Sequence, residues 1–161
     1  MSKAYGLAGL RIGWLATRDR EVLARAAAVK DYLSICASAP SEILAIIALR
    51  SRPALLARAS SIVSPNLALA DDFLAANGDL VDWVRPQAGT VGFPRLDPRI
   101  PVGLFAEDLA RREGVLILPG TVYGHDGNHF RLGLGHRDLA RGLDALARAL
   151  DRERSRLSHA T

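Results

Sequence analysis

The first residues of this chain that could do chemistry are a lysine and an arginine set among glycines, in the run Ser2-Lys3-Ala4-Tyr5-Gly6-Leu7-Ala8-Gly9-Leu10-Arg11-Ile12-Gly13-Trp14. Lysine is scarce: Lys3 and Lys30 are the only two among 21 basic side chains. A lysine ammonium, with an ordinary pKa of about 10.4, is a poor nucleophile until desolvation or a neighbouring cation favours the free amine. Arg11 offers such a cation, and its planar fork suits the oxygens of a phosphate or a carboxylate. Gly6 and Gly9 permit a tight turn between the two groups, where a Cβ would interfere. A second arginine of interest, Arg131, stands in the alternating run Phe130-Arg131-Leu132-Gly133-Leu134-Gly135. His125 and His129 have a spacing that would suit a metal on a helix, but Gly124, Asp126, Gly127 and Asn128 oppose a helix there, and no metal is expected. The single cysteine, Cys36, reads as a small buried hydrophobe, and Gly133-Leu134-Gly135 is too short a signal for a dinucleotide.

Positioning such groups takes a core, and 161 residues of which 49% are hydrophobic and 24% charged can supply one. The net charge is +4, yet the arginines are interleaved with acids, as in Asp19-Arg20-Glu21, Arg111-Arg112-Glu113 and Asp151-Arg152-Glu153-Arg154. That pattern predicts solvated helix faces, and no basic run carries aromatics for base stacking, so no nucleic-acid partner is expected through this segment. No run approaches the roughly 18 apolar residues of a membrane span, and the polar, glycine-bearing start is unlike a signal peptide. With one cysteine, the expected location is the reducing cytoplasm, with no membrane partner.

The periodicities predict a strand over residues 10–16, then a helix capped by Asp19 with Val22, Leu23, Ala26, Val29 and Leu33 inward. Residues 34–40 read as a turn. Ser41 is expected to cap a second helix over 42–50, apolar around nearly its whole circumference and so expected to be buried on several sides. A long helical stretch from Pro53 runs to the stop signal Asn77-Gly78, with a bend or break at Pro65. The period then changes: residues 81–85 and 90–93 read as paired strands, followed by a helix over 102–113, a strand over 115–118, a loop over 121–128, a strand over 130–134 and a final amphipathic helix capped by Asp138.

The opening run resembles the cofactor-lysine motif of the class I and II aminotransferases, pyridoxal-phosphate enzymes of fold type I, in which Ser-Lys is followed by Gly-Leu-x-Gly-x-Arg-x-Gly. Further segments are similar to that family: residues 31–42; Gln87-Ala88-Gly89-Thr90-Val91-Gly92-Phe93; Gly114-Val115-Leu116-Ile117-Leu118-Pro119-Gly120-Thr121-Val122-Tyr123-Gly124, like its Gly-Val-x-x-x-Pro-Gly-x-x-Phe-Gly block; and Phe130 to Gly135. Ala8 stands where many relatives have proline. The resemblance implies that Lys3 forms a Schiff base with pyridoxal 5'-phosphate and moves the proton at the substrate α-carbon. It further implies that Arg11 clamps the cofactor phosphate and Arg131 receives the substrate α-carboxylate. Tyr5 and Tyr123 could line the pocket, but carry no assigned role.

The same resemblance implies an α/β fold class, as a C-terminal fragment of the transferase fold: a remnant of the large cofactor domain over 1–52, a linking helix over 53–78 and a small α+β domain over 79–161. It implies an amino acid and a 2-oxo acid as substrates and a homodimer when full length. The family's Gly-rich phosphate turn, its aspartate on the pyridine nitrogen, its Asn and Tyr on the cofactor hydroxyl and its ring-stacking aromatic are all missing, so the chain alone is expected to be inactive. Alternatives are an aminotransferase-like ligand-sensing domain of a transcription regulator, an inactive remnant, or β-lyase or decarboxylase chemistry on the same residues.

Overall fold

A computed structural model describes residues 1–159 of the chain. Two compact units divide it, Met1–Ala59 and Ser60–Thr161.

The first unit is helical. A short 3-10 turn at Ala8–Leu10 ends in Arg11, whose backbone is left-handed at φ 49°. Residues 11–18 have no regular structure, so the expected strand over 10–16 does not form; a strand needs a hydrogen-bonded neighbour, and no described residue of this unit pairs with it. Helix α1 (Arg20–Leu33) begins where Asp19 predicts, the Asp19 carboxylate accepting from the amides of Glu21 at 2.9 Å and Val22 at 3.1 Å. Helix α2 (Ala39–Arg50) starts before the expected Ser41 cap: Ser38 is the flanking residue, and Pro40 fills the first turn, where a missing amide costs nothing.

The packing of α1 and α2 departs from expectation. No residue of α1 is buried, and in α2 only Ala45 and Ala48 are, while Ile43 and Ile47 are 59% and 53% exposed. An all-round apolar helix needs neighbours on several sides, and this unit does not provide them. Cys36 is exposed as well, because the turn between α1 and α2 has no core beneath it.

Helix α3 (Arg52–Ala76) runs continuously through Pro65, one helix rather than two. It ends at Asn77, whose side-chain amide donates to the Phe73 carbonyl at 2.8 Å. From Ser60 onward it belongs to the second unit, where Ala70 and Leu74 enter the core. Buried Asn66 donates to the carbonyls of Leu134 at 2.9 Å and His136 at 2.7 Å, pinning α3 to the segment that follows the last strand.

Strands β1 (Val81–Asp82) and β3 (Arg95–Leu96) form an antiparallel pair, and β2 (Val91–Gly92), β5 (Phe130–Gly133) and β4 (Leu118–Pro119) form an antiparallel sheet in the order β2-β5-β4. The expected hairpin between 81–85 and 90–93 is therefore replaced by two separate pairings. Val81 and Leu96, both buried, face each other in register, and burial of that pair sets the register. The Trp83 ring lies over Gly92, where an added Cβ would come within 2.9 Å of it. Strand β4 begins at Leu118, three residues later than the expected strand, leaving Leu116 exposed.

Helices α4 (Val102–Glu113) and α5 (Leu139–Ser158) cover the core, burying Phe105 and Leu109 from one and Leu139, Leu143, Leu146 and Leu150 from the other. The interleaved charges become ion pairs across their outer faces. Glu113 accepts from Arg148 at 2.7 Å and Arg152 at 2.7 Å, and Asp108 from Arg112 at 2.6 Å. Asp138 flanks α5 as expected but makes no side-chain cap bond.

The turn before α4 is organised by Asn128. Its amide donates to the carbonyls of Leu96 at 3.2 Å, Asp97 at 2.9 Å and Ile100 at 2.7 Å, and its oxygen accepts from the Val102 amide at 2.9 Å. Replacing it leaves several part-buried backbone groups unmet, so Asn128→Ala should lower unfolding free energy by roughly 2–4 kcal/mol in urea titration. In the same turn Arg99 and its own backbone amide hydrogen-bond the Asp97 carboxylate and hold its pKa down to about 2. A carboxyl depressed in the folded state stabilises above its ordinary value of 3.8 and loses that contribution as the pH falls towards 2. Carboxyl-carbon NMR should find the Asp97 midpoint near 2, moving up in Arg99→Ala.

Candidate active site

Lys3 and Arg11 both lie in the opening segment of the first unit, and Arg131 lies on β5 of the second. Residues 2–6 make a turn closed by the Gly6 amide donating to the Lys3 carbonyl at 3.1 Å, with Gly6 at φ 66°. Left-handed backbone favours glycine, which accounts for the residue there. Lys3 is exposed, and its amine meets no hydrogen-bond or ion-pair partner among the described residues. Arg11 is exposed too, its guanidinium donating to the Ala8 carbonyl at 3.1 Å. An unpartnered lysine side chain is accessible to an aldehyde, and a guanidinium whose remaining donors are open suits a phosphate.

Arg131 is placed by the alternation of β5. Phe130 and Leu132 are buried on one side of the strand, so the side chain between them projects from the other. The guanidinium is half-buried and donates to the Tyr123 hydroxyl at 3.3 Å. Most arginines of the second unit have carboxylate partners, including the other half-buried ones, Arg152 and Arg154. Arg131 has none among the described residues, which leaves part of its fork available to an external carboxylate.

Tyr123 comes from a 3-10 turn, Gly120–Tyr123, that follows β4 directly. Sequence reasoning gave it no role; its position in the Pro-Gly-x-x-Tyr-Gly block is the signal that could have assigned one. The loop after it brings His125 and His129 together without a helix. His125 Nε2 and His129 Nδ1 lie 3.0 Å apart, and Phe93 stacks on His129 with ring centroids 4.9 Å apart. Burial, then the charges of His125 and Arg95, push the His129 pKa down. Among the described residues no three His, Cys, Asp or Glu side chains gather as metal ligands would, and no helix is long and apolar enough to cross a membrane.

Comparison with known proteins adds a family context. The sequence matches the family described as aminotransferase class I and II over residues 1–149. It is 32% identical over 152 residues to capreomycidine synthase of Streptomyces vinaceus, covering 93% of this chain and 39% of that protein. It is 32% identical over 139 residues to an aromatic amino acid aminotransferase of Mycolicibacterium smegmatis, covering 86% of this chain and 35% of that one. Among solved structures, a PLP-dependent aminotransferase from Streptococcus suis superposes with TM-score 0.80 at 31% identity, over 94% of this chain and 40% of that one. The PLP-dependent cyclase OrfR does so with TM-score 0.80 at 33% identity, over 95% and 42%. The chain thus spans about two fifths of the length of the relatives it matches.

Proposed function

Because this chain belongs to the class I and II aminotransferase family, we propose that it carries the lysine, phosphate-side and carboxylate-side groups of an enzyme that uses pyridoxal 5'-phosphate to move an amino group between an amino acid and a 2-oxo acid. The observation that supports this best is Arg131: a half-buried guanidinium, braced by a tyrosine hydroxyl and without an internal carboxylate.

Bound pyridoxal phosphate supplies a carbonyl carbon for an amine and a ring that withdraws electrons from the substrate α-carbon. The chain's own residues do the rest. Lys3 would hold the cofactor through Nζ, and once the substrate amine has displaced it the freed amine would move the proton at the substrate α-carbon as general base and then general acid. Arg11 holds the phosphate oxygens. Arg131 makes two parallel hydrogen bonds to the substrate α-carboxylate, fixing the direction of the α-carbon's C–H bond, and Tyr123 keeps the guanidinium plane from turning. The aspartate on the pyridine nitrogen and the aromatic on the ring come, in this reading, from outside these residues, and the 161-residue chain has little activity alone. The whole enzyme is read as a cytoplasmic homodimer, with the domain division at 1–52, 53–78 and 79–161.

A second reading keeps the same residues but ends in another reaction of the substrate α-carbon. Similarity to a synthase at 32% identity and to a PLP-dependent cyclase at 33%, beside 32% and 31% for the two aminotransferases, favours keeping it.

The scarcity of lysine makes the assignment testable by reductive trapping. Incubating the chain with pyridoxal 5'-phosphate, reducing with borohydride and digesting should place the pyridoxyl group on Lys3 in preference to Lys30, with Arg11→Ala erasing the preference. Equal labelling of Lys3, Lys30 and the terminal amine would remove Lys3 from the site. In the full-length enzyme, Arg131→Lys keeps the charge and loses the fork, and should raise the KM for the 2-oxo acid roughly tenfold.

A further inference from the structure

The turn that carries Tyr123 is held at both ends by the two histidines. At its start, the buried Gly120 amide donates to the His129 carbonyl at 2.7 Å. At its end, the His125 amide donates to the Gly120 carbonyl at 3.1 Å. Gly120 is pressed between His125 and Phe93: an added Cβ would lie 3.2 Å from the His125 carbonyl oxygen and 3.2 Å from the Phe93 ring. His129, bridged to Arg95 just before β5 begins, stands two residues before Arg131. The loop whose far end presents the tyrosine hydroxyl to the guanidinium is thus closed by backbone bonds at His125 and His129, and the two rings meet beside that closure.

Resting on the reading of Arg131 as the carboxylate receptor, we propose that the His125–His129 pair, seated on Phe93, is a positioning device that holds Tyr123 against Arg131 and lets go when both imidazoles are protonated. Two neutral rings, or one neutral and one charged, satisfy the 3.0 Å contact with one nitrogen donating and the other accepting. Two charged rings cannot, because every nitrogen then carries a hydrogen and the two positive charges face each other. His125 is exposed, and the charges beside the pair pull in opposite directions. Arg95, bridged through its backbone to His129, adds a further positive charge. The nearest acid on the neighbouring strands, Asp82, is engaged by Arg95 at 3.3 Å. Asp126 lies on the loop between the two histidines and is exposed. Burial works in the same direction on His129, so the closed pair belongs to neutral pH and is lost as the pH falls.

Gly127 gives a means of opening the pair without removing either ring. A Cβ there would come within 2.6 Å of His125 Nε2 and 2.7 Å of His129 Nδ1. The experiment is an NMR titration of the full 161-residue chain from about pH 8 to about pH 5, following the histidine ring carbons, the Tyr123 ring and the Arg131 Nε–H, first alone and then with pyruvate. The Tyr123 and Arg131 signals should move with the midpoint of the histidine pair, and pyruvate affinity should fall roughly tenfold across it. His125→Gln, which keeps a hydrogen bond but takes up no proton, should flatten that dependence, and Gly127→Ala should show the low-pH signals already at pH 8. Tyr123 and Arg131 signals that ignore the histidine midpoint in the unmutated chain, or a Gly127→Ala chain identical to it at pH 8, would overturn the proposal. Pyruvate binding unchanged in Arg131→Ala would instead overturn the receptor reading, with the pyruvate-free titration still deciding the role of the histidines.

Discussion

Strand β5 imposes the constraint from which the second unit follows. Phe130, Leu132 and Leu134 are buried at every other position, and the two-residue period of a strand sends Arg131 and Gly133 to the opposite side. A slip of one residue would drive a guanidinium into the core and expose a phenylalanine. Pairing on both edges, with β2 and with β4, fixes that parity. Asn66 and Asn128 then attach the elements before and after the strand to backbone carbonyls rather than to side chains, so the geometry around Arg131 does not depend on long, flexible groups.

Electrostatics separates this arginine from the others nearby. On α4 and α5 the guanidiniums of Arg112, Arg148 and Arg152 are matched to carboxylates, which lowers the pKa of Glu113 and Asp108 and uses up the donors. These pairs are largely at the surface and contribute little individually to stability. Arg131 instead faces a neutral oxygen, Tyr123, which orients the plane without cancelling its charge.

Much of the second unit was legible in the sequence because its elements are self-sufficient. Helix α4 begins and ends where the pattern placed it, and the Leu139, Leu143, Leu146 and Leu150 stripe of α5 is buried as its spacing required. What failed depended on partners. The run at 10–16 has strand character but nothing to pair with, and α2 has a core helix's composition without a core around it. Residues 81–85 and 90–93 alternate like a hairpin, yet their partners are distant in sequence, and local periodicity does not encode which strand a strand will choose. The sequence marks Lys3, Arg11 and Arg131 as residues to watch. The contact between His125 and His129 was not legible, because a glycine-rich loop, and not a helix, folds one back on the other.

Helix α2 is inside out. Two of its three alanines, Ala45 and Ala48, are the residues buried, while its branched aliphatic residues face water. Mutational tolerance along it should therefore run opposite to that of an ordinary surface helix: enlarging the alanines meets crowding, whereas trading outward isoleucines for polar groups sheds hydration cost. The colloidal behaviour of these residues in dilute buffer thus follows from the outward face of α2.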